Sequence, residues 1–237
     1  MAMKNKFDGV YAKITDDTNS IAFIAGRTKD TAFIQVITPE NSFSINFDEL
    51  TPIKYDAMGP FKFLPFMECK HKVISMNHRA TANFNLNGKE YNFQNANGYI
   101  EGDRGKSFPK KYFWTQCGDR TNSIMASVAR IPYLCFKFTG TICIINIGGK
   151  EYRLATYLGA RVKIFSRDHI LIKQGRKILE IRVPEASNLQ PLDAPNLGEM
   201  TRTIKETIFT TVSYKFTIGK KTVLDYTANN AAYEYSD

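Results

Sequence analysis

Apolar and polar residues alternate through most of the chain with a period of two, not the 3.6 of a helix. Residues 21–25 and 32–37, separated by the turn Gly26-Arg27-Thr28-Lys29-Asp30, read as two paired strands. Residues 82–86 alternate, turn at Asn87-Gly88 and return through 89–93. Asn-Gly accepts the positive φ angles of a type I′ turn, so this stretch predicts a hairpin with Phe84, Leu86, Tyr91 and Phe93 as inward candidates. The arrangement recurs at 142–147, Gly148-Gly149 and 151–156, and again at 170–173, Gln174-Gly175 and 178–183. Only 47–50 and part of 123–130 read as short helices. Residues 188–200, with Pro191 and Pro195, read as a loop leading to carboxyl-terminal strands around 209–218. The pattern predicts an all-β fold, either barrel or sandwich, with one face of every strand lining an interior.

Composition narrows the setting. The chain has 237 residues, 43% hydrophobic and 13% aromatic, which is too apolar for a disordered chain. No run of about 18 apolar residues is present. The longest apolar stretch, 131–147, is broken by Lys137, Thr139, Gly140 and Thr141 and reads as two strands and a turn. Lys4, Lys6 and Lys13 are followed by no apolar block of the kind a secretory signal needs, so a cytoplasmic location is expected. Cys69, Cys117, Cys135 and Cys143 are irregularly spaced without a C-x-x-C pair, and are expected to be reduced core residues rather than a zinc site.

Lysine and arginine outnumber acids by 32 to 23, a formal charge of +9. Arg161 and Lys163 flank Val162, and Lys177 and Arg182 bracket 178–181, positions that alternation assigns to a solvent face. No nucleic-acid-binding motif accompanies them, and aromatics in a period-two sheet read as core, so nucleic acid is not an expected partner. Peripheral contact with an anionic membrane surface is the expectation that remains, each basic residue near it contributing about 1 kcal/mol.

Chemistry concentrates between Gly98 and Cys117, where two carboxylates, several glycines, a proline and the only tryptophan lie together. Glu101 and Asp103, two apart on an extended chain, share a face, and like charge at close range keeps one carboxyl protonated near neutrality. The bland alternative pairs them with Arg104, Lys106 or turn amides. His71 and His78 are weaker acid–base options, each read first as a structural strand residue. No spacing brings three metal ligands together, so neither metal nor other cofactor is expected.

The run Tyr-Ile-Glu-x-Asp-x-Gly-x-Ser-Phe-Pro-Lys-x-Tyr-x-Trp-x-Gln-Cys, Tyr99 to Cys117, resembles the signature of the tocopherol cyclase family. Three further segments carry the resemblance: 51–61 with Met67-Glu68-Cys69, 149–157, and 194–202. More remotely, Tyr-x-Glu-x-x-x-Gly is similar to an element of carotenoid hydratases. The resemblance implies antiparallel lipocalin-like (calycin-like) barrels in two halves, 1–100 and 101–237, the first of them shorter than is usual in the family. It also implies acid-catalysed closure of a prenylated hydroquinone to a chromanol. Glu101 would then donate the proton, and Asp103 would be its electrostatic partner or the base. Tyr99, Arg104, Phe113, Trp114 and Gln116 would contact the substrate, in a barrel lined by Phe84, Leu86, Tyr91, Phe93, Phe113 and Trp114. Arg104 stands where family members usually carry tryptophan, and Gly102 where a longer side chain is common. A guanidinium beside Glu101 would hold that carboxyl ionised, which keeps open a second reading: a lipocalin-like carrier of an apolar prenyl or lipid ligand. The oligomeric state is left open.

Overall fold

The computed structural model describes residues 8–15, 20–28, 30–65 and 67–237. Lys4, Lys6 and the turn residue Lys29 fall outside them. The chain divides into two units: Met1–Pro52 with Ile74–Ile100, and Ile53–Val73 with Glu101–Asp237. All strand pairing is antiparallel, as the hairpin pattern predicts.

In the first unit the described strands form a meander in chain order: β1 (Asp8–Thr15), β2 (Ser20–Arg27), β3 (Ala32–Ile37), β4 (Ser42–Asp48), β5 (Cys69–Leu86) and β6 (Lys89–Gly105). The last two are long and run on into the second unit. Asn87 and Gly88 adopt φ of 52° and 81°, the conformation their turn requires. Phe47, expected to open a short helix, instead pairs with Ala32 on one side and Ala80 on the other. Two ladders outweigh a weak local preference. Phe84 stacks between Phe43 at 4.9 Å and Tyr91 at 5.1 Å, and Tyr91 meets Phe93 at 6.2 Å. Leu86 and Phe93 are nonetheless 53% and 43% exposed, which corrects their assignment to a cavity lining. β4 pairs with β5 only as far as Ala82, so the hairpin tip extends past the strand that would cover it.

The second unit adds β7 (Tyr112–Gly118), β8 (Asn122–Tyr133), β9 (Phe136–Ile147), β10 (Lys150–Ala155), β11 (Arg161–Phe165), β12 (His169–Gln174), β13 (Lys177–Arg182), β14 (Gln190–Asn196), β15 (Glu199–Ile218) and β16 (Lys221–Ser236). Their order is β10-β9-β8-β7-β16-β15-β13-β12-β11, with β14 attached to β15. β11 lies against β9 and β10 against β12, so the two ends of the path approach and the sheet curls into a barrel. Residues 123–130, expected to be partly helical, belong to β8 between β7 and β9. The expected loop at 188–200 contains β14, which pairs through one edge only, with Pro195 at a register shift. An edge position and a bulge are where a strand tolerates residues that cannot donate an N–H. The only helical segments among the described residues are 3₁₀ turns at Gly59–Phe63 and Thr156–Leu158.

The barrel core is a dense cluster that includes Phe113, Ile124, Val128, Ile145, Leu154, Ile172, Leu179, Phe216 and Tyr233. Each such side chain contributes about 1.5–3 kcal/mol on burial. Cys117 and Cys143 belong to this core, whereas Cys135, at the β8–β9 turn, is exposed, correcting its expected burial. All four thiols are free. Arg161, Lys163 and Arg182 face solvent.

Candidate functional site

Successive residues of a strand point to opposite faces, and β7 uses both. Phe113 and Cys117 pack in the barrel core, and Phe113 meets the Tyr233 ring edge-on at 5.6 Å. Tyr112 and Trp114 point the other way, into a cavity of about 290 Å³. Ser127, Ala129 and Ile131 of β8, Ile142 of β9, Leu192 of β14 and Ile204 of β15 continue its wall. Alternation therefore forbids the expected pairing of Phe113 with Trp114 on one substrate-binding surface. Gln116 is half-buried and is not among the lining residues. Tyr99, half-buried on β6, belongs to the first unit.

Glu101 and Asp103 share a face, as their spacing predicts, and both line the cavity. Arg104, next to Asp103 in the chain, is exposed and is not among the lining residues. Both carboxylates lie against His71 of β5. Its Nε2 lies 3.3 Å from Glu101 Oε2 and its Nδ1 3.0 Å from Asp103 Oδ1. Burial works against an imidazolium, but the Asp103 hydrogen bond and the charges of Glu101, Asp103 and Asp56 outweigh it and raise the pKa. Cys69, also on β5, donates its thiol to Asp103 Oδ1 at 3.4 Å, and burial pushes its pKa up so that it stays a thiol.

These residues overturn the expectation that no three metal-ligand types converge: ligand atoms of His71, Glu101 and Asp103 lie within 4.8 Å of one another. Each imidazole nitrogen already faces a different carboxylate, so a cation on either nitrogen would displace one of those contacts. Nδ1 is hydrogen-bonded to Asp103, whereas the buried Nε2 approaches Glu101 without hydrogen-bond geometry.

Two of the sequence segments singled out earlier meet around Gly105. Lys106 and Ser107 N–H groups donate to Glu68 O at 2.8 and 3.3 Å, and a Cβ on Gly105 would fall 2.0 Å from that same oxygen. Ser107 Oγ accepts the Leu197 N–H at 2.8 Å, and Lys106 O accepts that of Gly198 at 2.7 Å. The Arg202 guanidinium donates to the carbonyls of Phe108, Pro109 and Lys110, and to Ser236 Oγ. Residues 105–112 and 194–202 are thus two sides of one support that presents Phe108, Pro109 and Tyr112 to the cavity.

A second pair of acids was not legible in the sequence. Glu206 of β15 and Glu234 of β16 are direct cross-strand partners, and both line the cavity. The Tyr112 hydroxyl donates to Glu234 Oε1. Burial, reinforced by the charges of Glu101 and Asp103, pushes Glu234 up to about 8, and burial followed by Glu101 raises Glu206 as well. The available signal was parity: Glu206 follows Ile204 by two, on the apolar side of β15, while Lys205 takes the exposed side. His78, in the first unit, is buried with Nδ1 2.9 Å from Ser75 Oγ and its ring edge-on to Phe47.

No helix among the described residues is long and apolar enough to cross a membrane. Among solved structures, the fold is similar to kievitone hydratase from Nectria haematococca, with TM-score 0.52 and 11% identity over 97% of this chain and 88% of that one. It is also similar to the protein CghA in complex with Sch210972, with TM-score 0.55 and 11% identity over 96% of this chain and 74% of that one. At such identity the likeness is one of fold. No curated protein matches the sequence. Kinship is carried by the tocopherol cyclase-like family, whose model matches residues 8–235, nearly the whole described chain, and to that family this chain belongs.

Proposed function

We propose that this chain closes a prenylated hydroquinone to a chromanol by acid-promoted intramolecular addition. The carrying observation is a largely apolar cavity whose wall holds Glu68, Glu101, Asp103, Asp193, Glu206 and Glu234 with one histidine, and no lysine or arginine among the described lining residues. Burial among like charges raises Glu206 and Glu234, so this wall can hold a carboxylic acid near neutral pH.

The reaction uses that acid. A carboxylic acid O–H adds its proton to the less substituted alkene carbon, and tertiary cation character develops at the other. The phenol oxygen bonds there, and the phenol proton passes to a carboxylate. Substrate and product are isomers, and one proton has moved between two carboxyl groups, which exchange with solvent restores. Glu101 and Asp103, placed against His71, suit the accepting role. Positioned acid–base groups of this kind contribute about 10²- to 10⁴-fold. The rings of Trp114, Tyr112 and Phe108 border the cavity, and a ring face over a cation is worth roughly 0.5–2 kcal/mol. Met58, Ile131, Ile142 and Ile204 keep water from capturing the cation before the phenol does. A prenyl quinol resides in bilayers, so we place the +9 chain at the anionic inner face of a membrane.

The test is mass spectrometry of lipid extracted from natively purified protein, followed by incubation of a prenyl hydroquinone with fresh protein. A product of unchanged mass and altered chromatographic retention is expected, and Glu101→Gln should lower kcat by about 10²-fold. Recovery of unaltered ligand with no conversion would make the chain a carrier and overturn the reading.

A further inference from the structure

We propose that the proton reaching the alkene comes from Glu234, supported by its cross-strand partner Glu206 and by Tyr112, and not from Glu101. The inference rests on the cyclisation reading for its consequence, although the protonation it requires is measurable without any substrate.

Register places Glu206 and Glu234 directly opposite on neighbouring strands. Directly opposed side chains in an antiparallel pair have Cβ atoms about 5 Å apart, and like charges there repel. Both side chains project into the cavity, and Glu234 is buried. On its other side Glu234 is in register with Trp114, whose indole supplies no countercharge. The charged groups of the remaining walls are acidic as well: Glu101 and Asp103 from β6, Glu68 beside Gly105, and Asp193 from β14. His71 faces Glu101 and Asp103. Arg202 lies over the Tyr112 ring at 5.9 Å and gives its N–H groups to backbone carbonyls and Ser236. Among the described residues the Glu234 side chain accepts a hydrogen bond from Tyr112 at Oε1, which leaves Oε2 to carry the proton.

This arrangement divides the roles by strand. The imidazole of β5 lies against the carboxylates of β6, which take the acceptor role. The pair on β15 and β16, denied a cation, becomes the donor. In the forward step the Glu234 O–H bond breaks, its proton forms the new C–H bond, and Glu234 is left as a carboxylate steadied by the Tyr112 hydroxyl. The phenol proton is taken up by Glu101 or Asp103.

Infrared difference spectroscopy at neutral pH reads the donor directly. Wild type should show the C=O stretch of a buried carboxylic acid, which Glu234→Gln removes and Glu101→Gln retains. Loss of the band in Glu101→Gln with retention in Glu234→Gln overturns the proposal. With a prenyl hydroquinone, Glu234→Gln should lose at least 100-fold in kcat with KM little changed, and full activity in that variant also overturns it. Tyr112→Phe guards against a misfolded Glu234 variant. Removing a donor that favours the ionised form moves the alkaline limb of the kcat profile to higher pH, and a limb that stays in place counts against Glu234. A wild type that shows the band yet converts no prenyl hydroquinone overturns the reaction reading, and the donor role with it, while leaving the protonated acid established.

Discussion

Replacing Glu234 by glutamine should change how stability depends on pH, and the size follows from the site. Glu234 titrates near 8 in the folded chain against 4.5 for an ordinary glutamate. A carboxyl whose pKa is raised by folding stabilises fully below its unfolded value, and that contribution is lost as pH climbs through the folded one. Between the two values the folded chain holds one more proton than the unfolded chain, so each pH unit removes about 1.4 kcal/mol. From about pH 5.5 to about pH 7.5 that is about 2–3 kcal/mol, or roughly 5–10 °C in melting temperature for a chain of this length. His71, also raised, pulls in the same direction, while Asp119 and Glu180, held below their ordinary values by hydrogen bonds that outweigh desolvation, contribute the reverse at lower pH. These groups are common to both proteins, so the difference between wild type and Glu234→Gln reads Glu234 together with the shift it imposes on its cross-strand partner Glu206. Urea unfolding followed by circular dichroism at the two pH values measures it. Glu234→Gln should gain on wild type by about 2–3 kcal/mol as pH rises through that interval. Parallel pH dependences would refute the claim that Glu234 is protonated in the folded chain.

Gly105→Ala should destabilise by about 1–3 kcal/mol, because its methyl group meets the Glu68 carbonyl and must displace the amides bonded to it; a melting temperature equal to wild type would contradict the close approach. Arg202→Ala, which removes donors to three carbonyls and Ser236, should cost about 3 kcal/mol in denaturant titrations, with Arg202→Lys recovering little because an ammonium lacks the planar fork. Iodoacetamide should label Cys135 in the folded protein, and Cys117 and Cys143 only after unfolding, since burial pushes both of the latter up to about 12; mass spectrometry of labelled peptides decides.

Hairpins were the most legible part of the fold, because Asn87-Gly88, Gly148-Gly149 and Gln174-Gly175 carry local turn chemistry that needs no distant partner. The insertion of β16 between β7 and β15 has no such signature, since pairing across more than a hundred residues is settled by packing. Pro191 and Pro195 concealed β14 for a related reason: prolines argue against strands except at edges, and only the assembled sheet says which strand is an edge. In the site, Glu101 and Asp103 stood out because they lie two apart in one short run. His71, Glu206 and Glu234 are scattered single residues on alternating strands, where a charged side chain reads by default as solvent-facing. Arg104 misled because nearness in sequence suggested a place in the site, whereas it is exposed and outside the cavity lining.

The two-sidedness of β7 makes that strand a party wall. Phe113 and Cys117 carry the stability of the barrel while Tyr112 and Trp114 shape the chamber next door. Changes at 112, 114 or the chamber side of β8 can therefore remodel what the chamber accepts without loosening the barrel, leaving room for substrate preference to drift among relatives that share the architecture. Inserting a single residue into β7 would do the opposite, exchanging the two sets of side chains and failing both rooms together.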